Sequence, residues 1–265
     1  MKKVQIIIVS LIILLVGFSA FIFFSGDKEK RIPSPSSLFK EAREKLENNE
    51  LLEAKDLYRK VLEESENIEQ LREIQDKIET INVDILFSPR KDECTTIYEV
   101  KPNDALFKIA RKFNTTVNLI KRANNLTSDI IRPGQELKIN NCKFSIVVDK
   151  SQNILFLKRG DELFKTYRVS TGKNNNTPTG TFKIINKLEN PTWYKTGAVI
   201  PPGSPENILG SRWMGFDTSG YGIHGTTEPQ DLGKQITLGC IRMRNDEVEE
   251  LYDIVPVGTE VTIVD

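Results

Sequence analysis

The chain opens on an unbroken apolar stretch and then changes its period three times. Residues 4–24 carry no charge and stay bulky to their end, at Phe21, Ile22, Phe23 and Phe24. As a helix such a stretch is long enough to cross a hydrocarbon core of about 30 Å. A cleaved export signal has a shorter apolar region ending in a small-x-small site. The pattern therefore predicts an uncleaved anchor over residues 1–26. Lys2 and Lys3 precede it and Lys28, Lys30 and Arg31 follow it, so flanking charge leaves its orientation open. A polar tether with two prolines occupies 27–36.

From 37 to 82 the apolar positions fall at helical spacing. Leu38, Ala42 and Leu46 recur every four residues, and after the Asn48-Asn49 break Leu51, Leu52, Ala54, Leu57, Tyr58, Val61 and Leu62 again fall at helical spacing. Ile68, Leu71, Ile74, Ile78 and Ile81 predict a third helix, and residues 83–87 a short strand ended by Pro89. The first two helices resemble one tetratricopeptide unit. A single unit cannot bury its face by stacking, which takes about three repeats, so the segment reads as a helical spacer.

Tyr98 and Val100 then suggest a strand, Leu106, Ile109, Ala110 and Phe113 a helix face, and Val117, Leu119, Ile120 and Ala123 a second helix. Pro133-Gly134 turns into a last strand ending at Ile139. This run, taken as 95–141, resembles a LysM module, a βααβ fold, and the resemblance implies binding to glycan strands of peptidoglycan. Asp104 in its first loop is the glycan-contact candidate. That loop reads Asn103-Asp104-Ala105 where the family often has Gly-Asp-Thr, so a hydroxyl and a glycine are missing. Cys94 and Cys142 bracket the module. In a reducing compartment they would be free thiols; outside the membrane they are placed to staple the module's two ends, leaving Cys240 as the odd thiol.

Beyond residue 143 the period becomes two. Strands are predicted at 144–148, 154–157, 163–169, 180–185 and 258–264, with a hairpin turn over 149–153 and one helix N-capped by Asn245.

Composition narrows the chemistry. The chain holds 37 basic and 37 acidic residues, so nothing in its charge points to nucleic acid. One histidine and three widely spaced cysteines contain no zinc spacing, and no cofactor is called for. His224 lies in Ile-His-Gly-Thr at 223–226, and Cys240 in Thr-Leu-Gly-Cys-Ile-Arg-Met at 237–243. A thiol is mostly protonated near neutral pH, and an imidazole that takes the proton makes the sulfur acylatable.

Those words resemble the active-site signature of the L,D-transpeptidase family with its YkuD-type catalytic domain. The resemblance runs over 143–265 and includes Val-Ser-Thr-Gly at 169–172, Thr-Pro-Thr-Gly-Thr-Phe at 177–182, Ile-Pro-Pro-Gly at 200–203 and Leu-Gly-Ser-Arg-Trp at 209–213. It implies a mainly β, sandwich-like catalytic domain in a bacterial cell envelope, held to the membrane by the N-terminal helix and lying outside the cytoplasm. Cys240 would attack the carbonyl of the mDap–D-Ala, or related L,D-centred, bond of a peptidoglycan tetrapeptide stem, D-Ala would leave, and an acceptor amine would complete a 3→3 cross-link. His224 would be acid and base, the Gly225 carbonyl would orient it, and the N–H groups of Gly239 and Cys240 would face the oxyanion. Arg242, Thr237 and Trp213 are the substrate-contact candidates, an ion pair being the plainer role for Arg242. Leu238 stands where the family often has a second histidine. Transfer to water would make the same acyl-enzyme a carboxypeptidase, and an unreactive Cys240 would leave a wall-binding protein. Papain- and NlpC/P60-like hydrolases place Cys before His, the reverse of this order.

Overall fold

The computed structural model describes residues 34–195 and 197–265. The anchor over 1–26 and most of the tether lie outside the described residues; within them no helix is long and apolar enough to cross a membrane. The chain divides into two compact units, Met1–Ile78 and Glu79–Asp265.

In the first unit, α1 (Pro35–Glu47) and α2 (Leu51–Glu64) form an antiparallel pair around Leu38, Ala42, Ala54, Tyr58 and Val61. The Ser34 hydroxyl caps α1 by accepting the Ser37 N–H. Asn49, at φ +62°, makes the turn between the helices, a conformation that asparagine tolerates better than other residues carrying a Cβ.

Helix α3 (Ile68–Leu86) runs on into the second unit. It absorbs the strand predicted at 83–87 as far as Leu86: Ile81, Ile85 and Leu86 are buried, and Val83 packs partly against the same core. The same end of α3 closes an exposed sheet edge. Thr166 donates its N–H and its hydroxyl to the Glu79 carboxylate, at 3.0 and 2.9 Å, and Asn82 Nδ2 donates to the Phe164 carbonyl at 2.9 Å. Edge strands offer unpaired backbone groups to any passing strand, and these side chains occupy them.

A βααβ module follows: β1 (Thr95–Glu99), α4 (Leu106–Lys112), α5 (Val117–Ala123) and β2 (Glu136–Asn140). The two strands pair antiparallel around a core of Val100, Leu106, Ile109, Ile120, Leu137 and Ile139. A disulfide joins Cys94 to Cys142 across its ends. In the first loop Asn103 sits at φ +70° and so supplies the left-handed backbone a glycine would give.

The remaining strands are β3 (Phe144–Asp149), β4 (Ile154–Arg159), β5 (Glu162–Arg168), β6 (Thr171–Gly172), β7 (Gly180–Glu189), β8 (Trp193–Lys195), β9 (Ala198–Ile200), β10 (Arg212–Phe216), β11 (Gly222–His224), β12 (Gln235–Thr237), β13 (Ile241–Arg242) and β14 (Glu260–Val264); α6 (Asn245–Ile254) precedes β14. Eight of them form one ladder in the order β13-β11-β10-β7-β14-β3-β4-β5. β7 hands the ladder on, pairing with β14 through its first half and with β10 through its second. Alternate residues Ile146, Val148, Leu155 and Leu157 from one end of the ladder meet Met214, Ile223 and Ile241 from the other, with Val248, Leu251 and Ile254 of α6, in one core. The domain is mainly β.

Candidate active site

The site lies at the β13 end of the ladder. β11 is held between β10 and β13, with Trp213 opposite His224 on one side and Arg242 opposite it on the other. That register, continued by one residue, sets Cys240 beside Gly222. Side chains alternate along a strand, so Cys240 and Arg242 share the face of His224; Gly222 is crossed closely by the Trp213 ring, which a Cβ there would meet at 2.9 Å. On its far side the 240–242 segment is bridged by Ser170, which exchanges both backbone hydrogen bonds with Arg242 at 2.9 Å. β6 continues that border by pairing with β12. The two motifs at 169–172 and 237–243 thus lie side by side.

His224 is 2% exposed. Its Nδ1 lies 2.7 Å from the Gly225 carbonyl. A carbonyl only accepts, so Nδ1 carries the proton and Nε2 keeps its lone pair. The Trp213 indole stacks on the imidazole, with centroids 6.0 Å apart at 22°, and Trp213 Nε1 donates to Asn186 Oδ1 at 3.1 Å. The structure therefore seats Trp213 against the histidine.

The Cys240 thiol is half-buried and donates to the Gly220 carbonyl at 3.4 Å. Burial pushes it above its ordinary pKa, while the Gly222 N–H and the Arg242 charge work against that rise. Burial pushes His224 down to about 4; the hydrogen bond to Gly225 opposes this and the Arg242 charge adds to it. Near neutral pH both groups are uncharged, so the resting site holds a thiol and a neutral imidazole rather than an ion pair.

The turn before the sulfur is fixed by two threonines. Thr237 Oγ1 accepts the Gly239 N–H at 3.1 Å and donates to the Cys240 carbonyl at 2.7 Å. Thr177 Oγ1 accepts the Gly172 N–H at 2.7 Å and donates to the Gly239 carbonyl at 2.9 Å. These contacts change two of the sequence-based expectations. The Gly239 N–H is already taken by Thr237, which leaves the Cys240 amide as the candidate of that pair. Thr237 itself shapes the turn. Gly239, at φ +140°, could carry no side chain, since a Cβ there would lie 2.6 Å from the Tyr221 ring.

Arg242 is buried and places Nη1 2.9 Å from Glu228 Oε2. Its Nε makes no hydrogen bond. Asn245 is not the helix cap that its position suggests. Arg244 occupies that place, and Asn245 is the first residue of α6. Its Oδ1 turns back toward the site and accepts the N–H groups of Ser211 and Thr226, each at 3.1 Å. Thr177, Glu228 and Asn186 also went unassigned in the sequence. Their partners lie 62, 14 and 27 residues away, beyond the reach of local pattern.

In the βααβ module Asp104 closes its own loop, accepting from the Tyr98 hydroxyl and the Lys101 N–H at 2.8 Å each. A groove in the same module is lined by Ser128, Ile130, Arg132 and Gln135, without Asp104.

The comparisons with known proteins agree on the family. The L,D-transpeptidase catalytic domain (YkuD) matches residues 143–263, and the LysM domain matches 98–140. Over 175 residues the chain is 37% identical to the putative L,D-transpeptidase YkuD of Bacillus licheniformis, a match covering 63% of this chain and 98% of that protein. It is 44% identical over 126 residues to the putative L,D-transpeptidase YqjB of Bacillus subtilis, covering 45% of this chain and 70% of that one. An L,D-transpeptidase structure from Mycobacterium smegmatis is 22% identical with a TM-score of 0.41; the match covers 50% of this chain and 64% of that one, less than two thirds of its length. At that score the likeness adds nothing to what the strand order already says.

Proposed function

This chain belongs to the L,D-transpeptidase family, and from that premise we propose that Cys240 is the nucleophile of a peptidoglycan transpeptidase that forms 3→3 cross-links through an acyl-enzyme. The observation that carries the reading is the tautomer of His224. With Nδ1–H held on Gly225, Nε2 is the basic nitrogen, on the face it shares with Cys240.

Cys240 Sγ attacks the carbonyl that joins the third residue of a tetrapeptide stem to its terminal D-Ala, and its proton passes to Nε2. The carbonyl oxygen takes the negative charge and faces the Cys240 N–H. When the intermediate collapses the C–N bond breaks, Nε2 returns the proton to the departing amine, and D-Ala leaves. The amine of a second stem then attacks the thioester, giving its proton to Nε2. The new amide forms and the sulfur leaves, protonated again. A neutral resting pair suits this cycle, because the imidazole begins each half-reaction as a base. Arg242, two residues beyond Cys240 on the same face, would meet a stem carboxylate, and the pair with Glu228 holds the guanidinium in place.

The LysM domain would grip the glycan strands that carry those stems. The apolar stretch over 4–24 would hold the chain to the membrane with residues 30–265 outside, in the cell envelope, where a disulfide persists. Incubation with tetrapeptide muropeptides followed by mass spectrometry tests the reaction. Dimers with loss of one D-Ala support it; tripeptide monomers alone would make the enzyme a carboxypeptidase; unchanged substrate with no Cys240 adduct would refute the assignment.

A further inference from the structure

The Gly225–Thr226 peptide is a single plane with a partner at each edge. Its oxygen accepts His224 Nδ1–H at 2.7 Å, and its N–H donates to Asn245 Oδ1 at 3.1 Å. A peptide plane is rigid, so whatever holds the N–H also fixes the direction of the carbonyl. We infer that Asn245 is a positioning residue of the active site: by clamping this peptide it fixes the His224 tautomer in which Nδ1 is protonated and Nε2 is the base.

Three features make the clamp more than a loop tie. First, Asn245 approaches so closely that it forbids side chains around it. A Cβ on Gly225 would lie 2.1 Å from Asn245 Oδ1, and one on Gly210 would lie 2.2 Å away. Second, glycine at 225 gives the peptide no conformational preference of its own. The residue that requires a glycine there is thus also the one that restrains it. Third, the second acceptor site of Oδ1 is filled by the Ser211 N–H, just ahead of β10, the strand that carries Trp213. One side-chain oxygen therefore ties together the backbone on both sides of the imidazole. The oxygen itself is immobilised at the first turn of α6, whose Val248, Leu251 and Ile254 are buried in the core.

Without the clamp the Gly225 peptide can swivel, the carbonyl leaves Nδ1, and the imidazole samples the tautomer with its proton on Nε2. In that form Nε2 cannot accept the thiol's proton. The chemistry suffers while the fold stands.

This inference rests on the assignment of His224 as acid and base, but its test does not require turnover. His224 is the only histidine in the sequence, so ¹⁵N-histidine labelling gives one imidazole spectrum without interference. At pH 8, where the ring is neutral, the wild-type protein should show a protonated Nδ1 and a bare Nε2. Asn245→Ala should turn that pattern into a mixture and slow carbapenem acylation of Cys240 by about tenfold or more, short of the full loss of roughly 10²–10⁴-fold that a positioned acid–base group is worth. Asn245→Asp keeps an acceptor oxygen in place and should retain the Nδ1–H pattern. A folded Asn245→Ala protein that keeps the wild-type spectrum overturns the inference. Should that variant fail to fold, the Asp variant decides: loss of the Nδ1–H pattern in the presence of the acceptor overturns it equally. Failure of the Cys–His reading would show elsewhere, as acylation that is indifferent to His224→Ala whatever the tautomer.

Discussion

Thr177 donates its hydroxyl to the carbonyl of Gly239 at 2.9 Å, across sixty-two residues of sequence. The Gly239 carbonyl and the Cys240 N–H belong to one peptide plane, so this bond aims the amide that would meet an oxyanion. The arrangement parallels that at His224, where Asn245 steadies the peptide whose carbonyl holds the ring. Each proposed reacting side chain is thus served by a backbone unit, and each unit is pinned by a side chain from another element, the buried Thr177 and the half-buried Asn245.

Thr177→Val should therefore damage both the fold and the chemistry. The valine keeps the volume but leaves the Gly172 N–H and the Gly239 carbonyl without their partner. Buried groups stranded in this way cost about 1–3 kcal/mol each, which thermal unfolding would register. Acylation by a carbapenem, followed by intact mass, should slow more than about tenfold, as expected when an oxyanion donor is misdirected. A wild-type acylation rate would detach Thr177 from the oxyanion.

The titration of His224 gives a pH profile with a definite sign. Its folded pKa of about 4 lies below the ordinary histidine value because burial penalises the cation. The unfolded chain thus takes up a proton that the folded chain refuses as pH falls from about 6.5 towards 4. Stability on this account is complete above about 6.5 and lost through that window, by about 3 kcal/mol at most. His224→Gln should flatten this part of the profile in denaturant titrations. Acylation should likewise persist down to about pH 4 before the base is protonated. Conversely, a thiol held above its ordinary value should react with iodoacetamide slowly at pH 7 and faster as pH rises.

Removing each reacting group separates their roles. Cys240→Ala should abolish the single carbapenem adduct while leaving the unfolding transition in place. His224→Ala should slow acylation by roughly 10²–10⁴-fold. Arg242→Ala should cost less in rate with a β-lactam that lacks the stem carboxylate, and more with a tetrapeptide stem. If the histidine variant acylates at the wild-type rate, the general-base role proposed for His224 is wrong.

The sequence disclosed this site through two short words, because a strand–turn–strand active site keeps its reacting residues close in the chain. His224 and Cys240 lie on adjacent paired segments, and the fifteen residues between them join those segments. The supporting residues were hidden for the opposite reason. Asn245 reads as a helix cap, since an Asx residue just ahead of Val248 and Leu251 has that local meaning; only the fold shows its oxygen turned towards 211 and 226. The 83–87 segment misled by propensity. Val83, Ile85 and Phe87 favour a strand, but burial of Ile81, Ile85 and Leu86 keeps the helix running to Leu86. Asn103 shows a third way of being missed: the glycine looked for in the LysM loop is absent, and asparagine supplies its conformation.

Asp253 joins the LysM domain to the catalytic domain. It lies near the end of α6, the helix that Asn245 begins. Its carboxylate accepts from Asn118 Nδ2 at 2.7 Å and from Arg122 Nη1 at 2.9 Å, and its carbonyl accepts the Thr116 hydroxyl. The Arg122 guanidinium also covers the Phe87 ring, 3.3 Å from its centroid. All three donors come from the start and exposed face of α5, so Asp253 fixes that helix in angle as well as position. Asp253→Ala removes the two carboxylate contacts and keeps the carbonyl. Because Arg122 is about half exposed, solvent screening leaves the loss at roughly 1 kcal/mol. The effect should therefore be one of arrangement more than of stability. A carbapenem needs only the catalytic groups and should acylate Asp253→Ala at the wild-type rate. On the proposed function, cross-linking of intact peptidoglycan, in which the LysM domain would hold the glycan while the catalytic site reached for its stem, should fall several-fold. Hydrogen exchange should rise in α5 and at the end of α6 while the strands around His224 stay protected. Equal losses with the small and the polymeric substrate would place the damage in the active site instead and refute a fixed junction as the source of reach.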